Sequence, residues 1–63
     1  MTMASLKDLR LKKFISQSDL SKESGVALNT ICRLEQGKQN PRFVTIRRLA
    51  KALGVEPDSI DFS

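Results

Sequence analysis

The chain has 63 residues, with one cysteine, no histidine and a formal net charge of +4. A chain of this length forms one small domain, and a single cysteine without histidine excludes both a disulfide framework and a zinc site. No apolar run approaches the ~18 residues of a membrane span, and the N-terminus lacks the apolar region of a signal peptide, so we expect a cytoplasmic protein.

Two helices are predicted in the first half of the chain, and strand-type alternation is absent from the sequence. Ser5 can cap a helix over residues 5–13. The stretch SQSD from Ser16 to Asp19 has the form of a capping box, in which each of these two side chains accepts the backbone N–H of the other residue. This box predicts a second helix over residues 17–24, and Gly25 after it can adopt the left-handed conformation that closes a helix.

Three further helices are predicted in the second half. A third helix over residues 28–36 is followed by Gly37 as its stop. Pro41 breaks the chain, because the residue before a proline is displaced from the α region. Apolar residues at helical spacing predict a fourth helix over residues 43–53, and a proline in a first turn rich in acids predicts a short fifth helix over residues 57–61.

Five short helices with short connections predict an all-α fold, a compact five-helix bundle in a single domain over residues 1–63. The inward-facing apolar residues of these helices and their connections form the predicted core: Leu6, Leu9, Ile15, Leu20, Val26, Ile31, Leu34, Phe43, Ile46, Leu49, Ala50, Leu53, Val55 and Ile60.

The charge is unevenly distributed along the chain. Residues 33–51 carry six basic residues against Glu35 alone, whereas residues 52–63 carry three acidic residues and no basic one. A basic middle and an acidic tail suggest one surface that meets a polyanion. A solvated surface with uneven charge is the alternative.

The segment GVALNTICRLEQG, residues 25–37, contains a helix with two different sides. At ~100° per residue, one side of this helix carries the apolar core residues. The opposite side presents Leu28, Asn29, Cys32, Arg33 and Gln36, which fall within ~140° of each other. A leucine that leads an exposed polar side is either an ordinary surface residue or a residue that touches a ligand.

Helices 2 and 3 and the glycine-containing turn between them form a helix-turn-helix pattern. The stretches LKDLR, SQSDL, SGV, TICRLEQGKQNPRF and IRRLAKALGV follow in order over about residues 6–60. With them the chain resembles the Cro/repressor-type helix-turn-helix proteins, the xenobiotic-response-element-like group, and is similar in particular to small lambdoid-phage repressor DNA-binding domains. The resemblance implies a lambda-repressor-like fold with helix 3 in the DNA major groove.

The exposed side of helix 3 has side chains that suit base edges in that groove. Asn29 can form a bidentate pair with adenine, Arg33 can donate to guanine or to a phosphate, and Leu28 can cover a thymine methyl group. Each of the three also has a structural alternative. These are helix capping for the asparagine, a solvated charge for the arginine, and packing onto helix 2 for the leucine.

Five residues are candidates for binding or positioning DNA phosphates. The resemblance implies that Gln17 bonds a phosphate, where its amide joins the free N–H groups at the start of helix 2. Lys38 and Asn40 are expected to contact phosphates, and Arg42 to enter a narrow minor groove. Thr30 flanks the exposed side of helix 3 and completes this set.

The resemblance also implies a buried structural ion pair between Arg10 and Glu35. Three positions depart from the family pattern. Phe14 stands where the family prefers glycine, which requires another cap conformation or packing of the ring. Ala27 replaces the usual Ser or Thr cap of helix 3, at a loss of ~1 kcal/mol, and Ser21 replaces an alanine, which is a mild change.

The predicted function is a sequence-specific, double-stranded DNA-binding transcriptional regulator, bacterial or phage-encoded, that acts as a homodimer on a palindromic operator. Its dimer surface is expected near the helix 4–helix 5 junction, where Val55, Ile60 and Phe62 are available. The alternative is an interaction module on the same fold, such as an antitoxin, with a toxin or another protein as its partner. We expect no enzyme, cofactor or metal, because histidine, a phosphate-binding glycine loop and paired carboxylates are all absent.

Overall fold

The computed structural model describes residues 4–62. Within this range four α-helices are followed by one 3₁₀ turn, and two short strands pair near the two ends. The elements in chain order are β1 (Ala4–Ser5), α1 (Leu6–Lys12), α2 (Gln17–Ser24), α3 (Leu28–Glu35), α4 (Phe43–Leu53), the 3₁₀ turn (Pro57–Ser59) and β2 (Ile60–Asp61). The all-α prediction is confirmed for the helical body, and the predicted second and fourth helices have the observed bounds.

The predicted fifth helix over residues 57–61 is wrong. Pro57–Ser59 form a single 3₁₀ turn, and the next two residues form β2, which pairs in parallel with β1 so that Ala4 lies opposite Ile60. So short a segment cannot offset the cost of nucleating an α-helix, whereas strand pairing satisfies its backbone groups and keeps the isoleucine buried. The fold is therefore a four-helix domain, and no pattern in the sequence predicted its strand pair.

The start of α2 is fixed by the predicted capping box. The Asp19 N–H donates to the Ser16 hydroxyl at 3.0 Å, and the Ser16 N–H donates to an Asp19 carboxylate oxygen at 3.1 Å. These hydrogen bonds favour the ionised carboxylate, so they hold the pKa of Asp19 below its usual range. At the other end of α2, Gly25 adopts the left-handed conformation (φ 75°) that the sequence predicted.

The turn between α2 and α3 is held by serine side chains. The Ser21 hydroxyl donates to the carbonyl of Val26 at 2.6 Å, which joins the last turns of α2 to the residues that precede α3. Ser24 Oγ accepts the Val26 N–H at 3.2 Å and donates to the carbonyl of Leu20. The serine that departs from the family pattern at position 21 thus stabilises the turn that orients α3.

The end of α1 keeps a left-handed cap although a phenylalanine occupies it. Phe14 has φ 57°, its N–H donates to the carbonyl of Leu11 at 3.0 Å, and the Ile15 N–H lies 3.5 Å from the carbonyl of Arg10. This is the pattern of a Schellman motif, which normally has glycine at the left-handed position. The ring of Phe14 is 95% exposed, so it neither packs nor moves the cap into another conformation.

The core lies between the four helices and β2, and α2 packs against both α3 and α4. Its buried apolar residues are Leu6, Leu20, Val26, Ile31, Leu34, Leu49, Ala50, Leu53 and Ile60, with Leu9, Ile15 and Val55 partly buried against them. Phe43 was wrongly predicted as core, because it is 86% exposed. It is the first residue of α4, where the side chain tilts beyond the N-terminal end of the helix.

Candidate nucleic-acid interface

The helix α3 is anchored by one side and exposed on the other. Ile31 and Leu34 are buried in the core, which sets the rotation of the helix about its axis. On the opposite side Asn29 and Arg33 are exposed, and Leu28 is 42% exposed. We call Leu28, Asn29 and Arg33 the outer face of α3.

The outer face of α3 has unused polar groups. Within residues 4–62, the side chains of Asn29 and Arg33 make no hydrogen bond or ion pair. The helix also begins without a side-chain cap, because Ala27 has no oxygen to offer. The first backbone N–H groups of α3 and the outer face therefore both remain available to a ligand.

Beneath α3 lies an ion pair between Arg10 of α1 and Glu35 of α3. The Arg10 Nε and Nη2 atoms donate to the two Glu35 carboxylate oxygens at 2.8 and 3.1 Å, and Nη1 donates to the carbonyl of Ile15 at 3.0 Å. The two side chains are only 10% and 4% exposed. The hydrogen bonds that Arg10 donates to Glu35 raise the pKa of its guanidinium, against the opposing effect of burial. The pair fixes α3 relative to α1.

Gln17 joins the same network from the start of α2. Its Nε2 donates to a Glu35 oxygen at 3.1 Å, and its Oε1 accepts from the Cys32 thiol at 3.0 Å. A side-chain amide has two N–H donors, so the bond to Glu35 uses one of them. The network of Arg10, Glu35, Gln17 and Cys32 ties α1, α2 and α3 together, and we call it the inner network.

For two residues, Cys32 and Ser21, the sequence contained a signal for a contact that was not recognised. Cys32 was placed beside the exposed side of helix 3, but it is half-buried and bonded to Gln17. Cys32 lies three residues before Glu35, so the two side chains project from the same side of α3 on neighbouring turns. This spacing indicates that they can contact the same residue. Ser21 was regarded as a mild change, although a serine near a helix end commonly bonds nearby backbone groups.

The segment between α3 and α4 supplies exposed polar residues next to α3. The Lys38 N–H donates to the carbonyl of Arg33 at 2.9 Å, which closes the end of α3. Lys38, Asn40 and Arg42 are exposed, whereas Thr30 is half-buried. These side chains, like the outer face, form no ion pair within the described part of the chain.

A second basic surface lies on α4. Arg47, Arg48 and Lys51 are exposed there. With the residues around Pro57 they border an open groove of about 470 Å³. Of the tail residues expected at a dimer surface, Ile60 is buried and so contributes nothing to this exposed region.

The described residues carry neither a candidate metal site nor a membrane-spanning helix. Between positions 4 and 62, no cluster of His, Cys, Asp and Glu side chains has the arrangement needed to hold a metal ion. None of the helices in that range has the length and apolar character required to cross a membrane.

Comparison with known proteins gives one family. A family model described as helix-turn-helix matches residues 6–60. The chain is 34% identical over 55 residues to the transcriptional repressor RstR of the cryptic phage CTXphi of Vibrio cholerae, which covers 87% of this chain and 50% of that protein. It is 38% identical over 47 residues to an uncharacterized HTH-type transcriptional regulator of Sinorhizobium fredii, which covers 75% of this chain and 61% of the relative.

A further relative comes from an archaeon. An uncharacterized HTH-type transcriptional regulator of Methanocaldococcus jannaschii is 36% identical over 55 residues, covering 87% of this chain and 83% of the relative. The chain thus spans half to three fifths of the length of the first two relatives. No solved structure gives a significant match.

Proposed function

Because the chain belongs to the helix-turn-helix family, a family of DNA-binding transcription regulators, we propose that it reads a specific DNA sequence with α3 in the major groove. The observation that supports this most is the difference between the two sides of α3. Its inner side is bonded to α1 and α2, while the polar groups of the outer face have no partner within residues 4–62. The proposal treats residues 1–63 as one DNA-binding domain that acts in the cytoplasm, where an operator is accessible.

The outer face carries the proposed base contacts. Asn29 donates to N7 and accepts from N6 of an adenine, and Arg33, one turn further along, donates to guanine O6 and N7. Leu28 keeps 42% of its surface exposed and covers a thymine methyl group beside them. This assignment requires that the side chains are not already bonded inside the protein. The two polar side chains meet that requirement, because they have no partner within the described residues.

Phosphate contacts are proposed on both flanks of α3. On one flank, the second amide N–H of Gln17 and the N-terminus of α2 face the backbone of the DNA. On the other flank, Lys38 and Asn40 bind phosphates, Arg42 reaches the minor groove, and Thr30 supports the edge of α3. Their exposure, apart from the half-buried Gln17 and Thr30, is consistent with these contacts.

We propose further that two copies bind a palindromic operator. One domain of this size contacts few base pairs, and a two-fold dimer doubles the number that is read. The two α3 helices then lie about one DNA turn apart, ~34 Å, in successive major grooves.

The test is a selection on random duplex DNA at physiological salt. The proposal predicts enrichment of one motif made of two inverted half-sites, bound with a specificity ratio of at least ~10³ over random duplex. Binding that stays non-specific, with no enriched motif, would contradict it. The double variant Lys12→Ala with Lys22→Ala is the matched control, because it removes exposed cations from α1 and α2 without touching either flank of α3. It should select the same motif.

A further inference from the structure

The side-chain amide of Gln17 is held at both of its ends. Its Nε2 donates to Glu35 Oε1 at 3.1 Å, and its Oε1 accepts from the Cys32 thiol at 3.0 Å. Both partners belong to α3, whereas Gln17 is the first residue of α2. The amide therefore bridges the two helices of the helix-turn-helix, and each of its ends meets a group of the matching kind.

The two partners together decide which way the amide faces. The Glu35 carboxylate also accepts from Arg10 and has no proton to donate, so only the NH₂ end of Gln17 can lie against it. The carbonyl end is left for the thiol of Cys32, which is a donor. The two N–H bonds of a planar NH₂ group diverge, so the second one is directed away from Glu35. No hydrogen bond within residues 4–62 uses this second N–H.

The thiol matters through order more than through the strength of its bond. A glutamine side chain has several rotatable bonds, and fixing them costs conformational entropy. Glu35 restrains one end of the amide, and the half-buried Cys32 restrains the other before any ligand arrives. A side chain that is already ordered loses less entropy when it binds, so its contact with a ligand is tighter without any new interaction.

We propose that Cys32 is a positioning residue for DNA binding, whose thiol holds the Gln17 amide so that its second N–H donates to a backbone phosphate. This rests on the proposed function, which gives Gln17 a phosphate contact. Cys32 itself does not touch the DNA in this arrangement. The alternative role is that of a small side chain that fills the space between α2 and α3, for which a donor is not required.

A double-mutant cycle on a DNA duplex tests whether the thiol acts through the amide. Gln17→Ala should weaken binding at least ~tenfold, and Cys32→Ala about threefold to tenfold. The double variant should bind like Gln17→Ala alone, within about twofold, because the thiol has nothing left to position. Cys32→Ala combined with Asn29→Ala is the control cycle, in which the two losses should add.

A matched pair of variants separates the donor from the size of the side chain. Cys32→Ser and Cys32→Ala differ by one hydroxyl group, and the hydroxyl can donate to Gln17 Oε1. Cys32→Ser should therefore restore the affinity of the parent to within about threefold. A residue that only fills space would give nearly equal losses in the two variants. Circular dichroism shows that each variant is folded at the temperature of the titration.

The phosphate itself supplies a readout that a purely structural role would not move. Backbone phosphates of the duplex are replaced one at a time by neutral methylphosphonate, which removes the charge and one acceptor oxygen. One replacement should weaken the parent but have no effect on Gln17→Ala. At that same position the loss should be smaller for Cys32→Ala than for the parent, and it should return to the parent's value for Cys32→Ser.

Two results would overturn the proposal. Either Cys32→Ser loses as much affinity as Cys32→Ala, or the losses of Cys32→Ala and Gln17→Ala add in the cycle. The cycle can be measured on random duplex as well, because a phosphate contact needs no particular sequence. A selection without an enriched motif would therefore contradict the proposed function and leave this test in place. An enriched motif with additive losses would overturn only the role of Cys32, and a parent that binds no duplex would overturn both.

Discussion

The inner network and the outer face lie on the same short helix, yet their polar groups are used in opposite ways. On the inner side, Glu35 accepts from both Arg10 and Gln17. On the outer side, Asn29 and Arg33 bond nothing within residues 4–62. The difference separates the groups that place α3 from the groups that are left to bind a ligand, because a polar group already satisfied inside the protein has little to gain from a new partner.

The two regions also differ in the consequence of losing a side chain. A buried charge that loses its partner remains desolvated and unpaired, so the loss falls on stability. An exposed side chain without a partner loses nothing inside the folded protein when it is truncated, so the loss falls on binding. Variants that separate stability from binding therefore test the comparison directly.

The largest expected effect is on the inner network. Glu35→Ala strands the buried Arg10 guanidinium and should lower the free energy of unfolding by about 3–5 kcal/mol. For a domain of this size the melting temperature should fall by roughly 15 °C or more, as followed by circular dichroism. Glu23→Ala is the matched control, since this exposed glutamate of α2 lies outside the network. If both variants melted alike, the ion pair would contribute nothing to the placement of α3.

The next effect is expected on the outer face. Asn29→Ala should cost about 1–3 kcal/mol in binding to the selected duplex and should remove the preference at one base position. The measurement compares affinities for the selected duplex and for duplexes with single base-pair changes. The melting temperature should stay that of the parent, because Asn29 has no bond to lose inside the described protein. A uniform loss over all duplexes would mean that Asn29 anchors the backbone instead.

A different signature is expected for the segment after α3. Lys38→Ala should weaken binding to all sequences alike and should reduce the slope of log K against log salt concentration by about one unit, since one phosphate contact is lost. Titrations at several salt concentrations measure this slope. Lys22→Ala, an exposed lysine of α2 outside both flanks, should leave it unchanged. If Lys38→Ala instead removed one base preference and left the salt slope unchanged, Lys38 would read a base, and the roles assigned to Lys38 and Asn29 would have to be exchanged.

The smallest effect is expected at the left-handed cap that ends α1, and it concerns stability alone. Phe14 holds a left-handed conformation that costs a non-glycine residue about 1–2 kcal/mol, and glycine recovers most of this while losing about 0.5–1 kcal/mol through its unfolded-state entropy. Phe14→Gly should therefore stabilise the protein by about 0.5–1 kcal/mol in denaturant unfolding, with DNA affinity unchanged. Destabilisation would contradict this, because it would mean that the ring makes a stabilising contact, whereas the structure leaves it 95% exposed.

The parts of the fold that were predictable from sequence depend on neighbours along the chain. The capping box at Ser16 and the glycine at position 25 predicted both ends of α2, because each acts through backbone groups a few residues away. The β1–β2 pair was not predictable in this way, since it joins residues 4 and 60 and neither strand has a pattern of its own.

In the candidate site, too, the predictable features depend on neighbours along the chain, and the others depend on contacts between helices. The outer face follows from helical periodicity alone, as the inward positions of Ile31 and Leu34 define the opposite side. The Arg10–Glu35 pair came only from the family resemblance, because no local rule joins residues on different helices. The bond from Cys32 to Gln17 depends on how α2 and α3 sit together and was missed for that reason.

The central claim is that the outer face of α3 reads the bases and does not hold the fold. Its most direct test is the same selection on random duplex DNA, performed with the parent and with the triple variant Leu28→Ala, Asn29→Ala and Arg33→Ala. The triple variant should keep the melting temperature of the parent and its salt-dependent, non-specific binding, but should enrich no motif. Enrichment of the parent motif by the folded triple variant would contradict it.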